Sequence, residues 1–274
     1  MRREGLRLAV CGMLESIPGV RHAYSTRSDD SGGATPGTFD LGAGVDTEPV
    51  FVERRLRLCK AAGLEGRVPI VLRQVHGSRL LDLTRRSGPT GVSGAEGEPP
   101  AADGTIALRG ESALAVPAVR TADCVAVLLA DREGRSVAAV HAGWRGAAAG
   151  IVGCAVDRLR ERGVASRTLR AALGPAVGPC CYAVGPEVVE AVSRASGAAP
   201  ERLTRREDDR TMLDLAGALR LQLLGAGLVG GAISISPWCT SCRGDLFFSY
   251  RRDGHMAGRM MAVIGWPGLT PADR

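Results

Sequence analysis

TADCVAVLLADREGRSVAAVHAGWRG, Thr121 to Gly146, decides the fold. It holds two apolar runs around a polar, Gly-containing break, with Cys124 entering the first run and His141 leaving the second. Val, Leu and Ala on both sides of DREG predict a β-hairpin buried on both faces. With Asp131 to Gly134 as a four-residue loop, paired positions sum to 265 and Cys124 falls opposite His141. Cross-strand partners on one face have Cβ atoms about 4.5 to 5.5 Å apart, which suits two ligands of one metal ion. A one-residue slip would send the two side chains to opposite faces. The same spacing fits a small core cysteine and a hydrogen-bonded histidine at a strand end, and the hairpin alone leaves both readings open.

Working outward, the segments before the hairpin read as β-rich. Residues 6 to 24 give a strand, a turn at Pro18-Gly19 and a second strand. Residues 25 to 44, rich in Ser, Gly, Thr and Asp, mark a surface loop with Arg27 at its mouth. The span Thr47 to Gly63 repeats apolar residues at helical spacing and ends on a Gly cap. Val68 to Leu83 is a strand interrupted by RQVHGSRL, and ADGTIAL and SALAVPAV add two short strands. Mobile loops are expected at 28–38 and 86–102, where the composition is small and polar. After the hairpin, helices are predicted from near Arg145 to Gly163, from Pro186 onward and over 213–228, with a strand at Leu169 to Leu173. The C-terminal part reads as strand, loop, short aromatic strand at FFSY, loop and strand. No internal repeat or linker divides the chain, so the prediction is a single α/β domain of mixed sheets flanked by helices, residues 1–274.

Composition narrows the function. Aromatic residues at 4% make a base-stacking platform improbable, and no zinc-finger spacing or basic helix is present, which argues against nucleic acid as partner. The net charge of +6 is spread along the chain and rests on arginine, Lys60 being the sole lysine. No apolar run reaches the roughly 18 to 20 residues of a membrane span, and Glu4 and Glu15 interrupt any signal-peptide pattern. The eight cysteines are scattered without a disulfide framework, so the reading is a cytoplasmic protein with reduced thiols and no membrane partner.

His76, Cys124 and His141 form the best chemical constellation. Two imidazoles and one thiolate leave tetrahedral zinc an open fourth position, the arrangement of a catalytic and not a structural site. Such an ion brings the pKa of its water toward about 7. A metal-free reading, with Cys124 as nucleophile and His141 or His76 as its base, stays open on the residues alone. The turn Gly143-Trp144-Arg145-Gly146 into a helix places N–H groups and a positive dipole end beside His141, favourable for an anion. CTSC, Cys239 to Cys242, has CxxC spacing but no second CxxC to complete a four-cysteine site, which favours a structural role. Cys180 and Cys181, if extended, point to different sides, so at most one faces any given site. RRDG at 251–254 offers a guanidinium, Arg251, for phosphate or a solvated turn. Neither His22 nor His255 has a place in this reading.

Together, QVHG at 74–77, TADC at 121–124, HAGWRG at 141–146, GPAVGPCCYAVGPEV at 174–188, and CT followed by LFFSYRRDG and GR at 239–259 resemble the multicopper polyphenol oxidoreductase (laccase-like) family, also called the peptidoglycan editing factor family. The resemblance covers nearly the whole chain in the same order. It implies a mixed β-sandwich flanked by helices and a zinc site made by His76, Cys124 and His141. It also implies purine nucleoside chemistry: phosphorolysis of adenosine, inosine, guanosine and methylthioadenosine, and deamination of adenosine, with purine nucleosides and phosphate as the small-molecule partners. Phosphorolysis needs cations near the metal, and the candidates are Arg27, which matches the family's STR, Arg145 and Arg251. Asp123 is a proton carrier or an orienting group, and alternation along the strand favours the second.

Asp40 and Glu53 stand where the family usually has Asn, so no role is carried onto either. A blue-copper relay with a trinuclear cluster needs many histidines, and this chain has four; copper is left as a possible substitute for zinc in vitro. The alternatives to a nucleoside enzyme are a cysteine-type hydrolase acting on a cell-wall precursor and a non-enzymatic partner in cell division or envelope assembly.

Overall fold

In the computed structural model, which describes residues 1–29, 37–42, 48–83, 99–111 and 115–268, the hairpin lies at the centre of a mixed six-stranded sheet. The order across this central sheet is Ile233–Ile235, Leu169–Leu173, Val125–Asp131, Ser136–Ala142, Gly104–Leu108, Leu80–Asp82. The edge strands Ile233–Ile235 and Leu80–Asp82 pair parallel, and the inner pairings are antiparallel.

The hairpin register differs from the sequence expectation. Ala126 faces His141 and Val125 faces Ala142, so paired numbers sum to 267. Asp131 stays in the strand because its carboxylate is fully buried and accepts hydrogen bonds from Thr168 Oγ1 (2.7 Å) and Arg135 Nε (2.8 Å). The turn is therefore made by residues 132–135. Gly134, at φ +69°, closes it by donating its N–H to the Asp131 carbonyl (2.8 Å). Moving both strand ends by one residue shifts the sum by two, and a shift of two preserves which face each side chain occupies. Cys124 stands diagonal to His141 instead of opposite it, on the same face.

Both faces of the central sheet are buried, and alternation divides its residues between two cores. Ala126, Leu128, Ala130, Val137 and Ala139 pack against a second sheet, which also holds Ala23, Val119 and Val263. That outer sheet runs Arg2–Arg3, Leu6–Ala9, Arg21–Asp29, Met260–Gly265, Ala118–Thr121, with Gly37–Thr38 added to Arg21–Asp29. Tyr24 ties the sandwich by donating its hydroxyl to the Ala172 carbonyl (2.7 Å). Val125, Val127, Leu129, Ala138 and Val140 face the other way, onto the helices Ile151–Arg160, Pro186–Ser196 and Leu215–Gly225. Cys124 and His141 share the sandwich-facing parity and lie at the strand ends, where the interior opens to solvent.

Several elements depart from the sequence reading. Ser25 to Asp29 continue a nine-residue strand, so Arg27, Ser28 and Asp29 are strand residues. Gly37–Thr38 form a short strand, Ala101 bridges to Arg73 and Ala102 is buried; positions 30–36 and 86–98 of the expected mobile loops lie outside the described residues. The helix expected from Arg145 to Gly163 is two helices, Trp144–Ala148 and Ile151–Arg160, broken at Gly150 (φ +70°). The FFSY run is not a strand. Phe247 and Phe248 are buried, and Ser249 caps the short helix Tyr250–Asp253 through its hydroxyl.

Candidate metal centre and cleft

Three segments bring His76, Cys124 and His141 together: the bend before Leu80, the entry to the first hairpin strand and the exit of the second. Their ligand atoms all lie within 4.8 Å of one another. The two imidazole rings meet edge to face, centroids 4.8 Å apart. His141 is buried, Cys124 half-buried and His76 exposed.

A residue that sequence reasoning missed holds this arrangement. Asp103, fully buried, engages His141 Nδ1 (2.9 Å) and accepts the backbone N–H groups of His76 (2.8 Å) and Gly77 (2.7 Å). Its carbonyl accepts the His141 N–H (2.7 Å). With Nδ1 engaged, His141 directs Nε2 at the cluster, the carboxylate–histidine arrangement that fixes a metal-binding ring. The same carboxylate holds His76 at φ +59°, a conformation costly for a residue with a Cβ. The signal was ADG at 102–104, an acid just before a strand, but its partners become visible only when the strand order is known. Gln74 pins the bend from the other side, exchanging two hydrogen bonds with the Arg120 backbone (2.8 Å each).

Burial pushes the Cys124 thiol up, but the charge of His141 and hydrogen bonds from both histidines more than offset this, bringing it down to about 6. Burial lowers His141, and the Cys124 thiolate and Asp103 carry it instead up to about 9. Without metal, Cys124 and His141 form a thiolate–imidazolium pair at neutral pH. Two imidazoles and a low-pKa thiolate, converging on one point with an oriented ring, fit a borderline-soft divalent cation.

Asp123 does not join the ligands. At φ +95°, it accepts Thr240 Oγ1 (2.6 Å) and the Arg251 N–H (2.6 Å), while its carbonyl accepts Val177 N–H (3.0 Å). It orients the C-terminal segment over the site.

The cluster forms the floor of a cleft of about 1000 Å³. Arg145 and Arg251 line it, stacked on Trp144 and Tyr182 respectively, and so do Arg73, Arg120 and Arg259, which sequence reasoning had not named. Arg27 is absent from the cleft lining: its guanidinium donates to the Gly244 carbonyl (2.9 Å) and stacks on Phe248. The helix after Gly143 is only five residues long, so the cleft's positive character rests on arginines more than on a helix dipole. Asp40 accepts the N–H groups of Gly42 (3.0 Å) and Arg259 (2.8 Å), a fastening role, and Glu53 is exposed.

Residues 21–267 match the family model described as multi-copper polyphenol oxidoreductase laccase. The chain belongs to this family. Family relatives include purine nucleoside phosphorylase YlmD of Geobacillus stearothermophilus, 36% identical over 85% of this chain and 86% of the relative. Adenosine deaminase RL5, from an unknown prokaryotic organism, is 31% identical over 91% of this chain and 95% of its own length. The crystal structure of YlmD from Geobacillus stearothermophilus superposes with a TM-score of 0.80 at 32% identity, covering 97% of this chain and 98% of that one. The family's fold, a mixed α/β sandwich with flanking helices, is thus the fold of this chain.

Proposed function

We propose that the chain is a zinc-dependent purine nucleoside phosphorylase with adenosine deaminase activity. The observation that carries this reading is the convergence of His76, Cys124 and His141 beneath an arginine-lined cleft. The names of the relatives, purine nucleoside phosphorylase and adenosine deaminase, support the same chemistry. The volume of about 1000 Å³ is at the upper end of small-molecule sites, roughly 300–1000 Å³, and accommodates a nucleoside together with phosphate.

His76, Cys124 and His141 would hold the ion, which supplies Lewis acidity and activated water near neutral pH when bound. Asp103 keeps the His141 ring fixed through its Nδ1. Arg145 and Arg251, whose planar forks match phosphate oxygens, hold the phosphate for attack on the anomeric carbon of the ribose as the purine departs. Trp144, Tyr182 and Tyr250 give the cleft apolar surface for the base. Incubating the purified protein with adenosine tests the reading: with phosphate it should yield adenine and ribose 1-phosphate, and without phosphate, inosine. No turnover in either condition, with zinc bound, would refute it.

A second reading has its own support. The Cys124 thiolate, His141 and Asp103 have the nucleophile, base and orienting acid of a cysteine hydrolase. In that case a chelator spares activity and a thiol alkylator abolishes it. The third donor, His76, has no role in such a triad and favours the metal.

A further inference from the structure

Two loops behind the cleft carry four cysteines that the nucleoside chemistry does not use. Cys180 and Cys181 lie on the loop after Leu173, and Cys239 and Cys242 on the loop after Ile235. The adjacent pair was expected to split to opposite sides. Instead the chain turns there, with the N–H groups of Cys181 (2.9 Å) and Tyr182 (3.1 Å) both donating to the Gly178 carbonyl, and both thiols face one centre.

The four Sγ atoms all lie within 4.8 Å of one another, with Cys181–Cys242 at 3.4 Å and Cys180–Cys242 at 3.5 Å. Tetrahedral zinc with Zn–S of about 2.3 Å requires sulfurs about 3.8 Å apart, in the middle of this range. Cys242 is equally near two partners, so the cluster is not organised around one sulfur pair, and all four thiols are free. Gly178 donates its N–H to Cys239 Sγ (3.3 Å), a bond that supports a ligating thiolate. A Cβ on Gly178 would lie 3.3 Å from Cys180 Sγ and 3.4 Å from Cys239 Cβ, so a side chain there would press on the two thiols' positions.

We propose that Cys180, Cys181, Cys239 and Cys242 form a second metal site, a closed tetrathiolate centre for zinc that clamps one wall of the cleft. The site is structural, because four protein ligands leave no open position. Its reach into the cleft runs through short links. Ala176 bridges Cys239, and Thr240 N–H donates to the Ala176 carbonyl (2.9 Å). The Thr240 hydroxyl and the Val177 N–H both bind Asp123, which in turn holds Arg251. The clamp thus fastens the loop bearing Val177 and Tyr182 to the segment bearing Arg251.

Zinc content per chain, measured by elemental analysis on protein loaded with Zn2+ and freed of excess, tests the site independently of activity. The expected content is two for the wild type, one for Cys124→Ala and one for the double variant Cys180→Ser/Cys242→Ser. Should the double variant not fold, the wild type is labelled with a maleimide and mapped by peptide mass, with and without chelator. Zn2+ should protect all four cysteines, and chelation should expose them. The Co2+-loaded Cys124→Ala protein should show the absorption of a tetrahedral tetrathiolate. One zinc in both the wild type and the double variant, labelling indifferent to zinc, or a disulfide between any two of the four would overturn the proposal.

Discussion

Asp103 holds two of the three proposed ligands at once, since it engages a ring nitrogen of one histidine and the backbone of the other. Replacing an orienting partner of a metal-bound histidine typically costs 10- to 100-fold in metal affinity. Asp103→Asn should lose about that much in a chelator-competition titration, with the loop at His76 also relaxing. A ligand-only view, in which Asp103 is a packing residue, expects unchanged affinity. The pH behaviour follows from the same contacts. Between about pH 6 and 9 the metal-free pair is Cys124 thiolate and His141 imidazolium. A metal must displace the His141 proton in this window, both protons below it and neither above it, so apparent affinity rises with pH up to about 9. Calorimetry at neutral pH in buffers of different ionisation enthalpy, on the Cys180→Ser/Cys242→Ser variant so that only this site loads, should show about one proton released from this pair on Zn2+ binding. Zero release would mean that His141 is neutral before metal arrives.

At the scale of elements, the hairpin and the turn after it set the separation of the proposed ligands. Gly143 has ordinary φ, yet a Cβ there would stand 3.0 Å from Cys124 Sγ and 3.2 Å from His76 Cδ2. Gly143→Ala therefore presses on two ligands at once, and overpacking of this kind costs about 1–3 kcal/mol. The expected result is weaker metal binding with the far-ultraviolet circular dichroism unchanged; equal affinity would show that the bend at His76 yields freely. The alternation of the hairpin was legible in the sequence, and with it the shared face of Cys124 and His141. Its register was not, because the turn position depends on Thr168 holding Asp131 in the strand from a distant segment. The strand at Leu169–Leu173 and the helix from Pro186 were legible for a local reason, their Pro, Gly and apolar signals being strong. The turn at FFSY was hidden, because local propensity yields there to packing, whereas the break at Gly150 follows the low helix propensity of a glycine set in an otherwise helical run.

Across the whole molecule, the cleft is assembled from both sheets and the C-terminal loops, which explains what the sequence concealed about the site. His76, Cys124 and His141, the proposed ligands, sit in compact motifs, so residue chemistry singled them out. Asp103, Arg73 and Arg120 enter through tertiary pairing and carry no motif of their own, and Arg259, though it ends the GR motif, shows its place in the cleft only in the fold. Arg27 shows the opposite case, since its motif stood out while its guanidinium serves the Gly244 loop. A hydrogen bond to a charged group is worth about 1.5–3 kcal/mol, or roughly tenfold to a hundredfold in affinity. Arg145→Ala or Arg251→Ala should raise the KM for phosphate by about that factor, whereas Arg27→Ala should lower stability in a denaturant titration and leave the KM for phosphate near the wild-type value. The reverse ordering would relocate the phosphate.

The central claim is that metal held by His76, Cys124 and His141 drives nucleoside chemistry in this cleft. Its most direct measurement is adenosine turnover with phosphate, on protein stripped by chelator and then reloaded with Zn2+, with Cys124→Ala alongside. The account expects turnover to vanish on stripping, to return with zinc as adenine and ribose 1-phosphate, and to be absent from the variant under both conditions. Full turnover by the stripped wild type would contradict it.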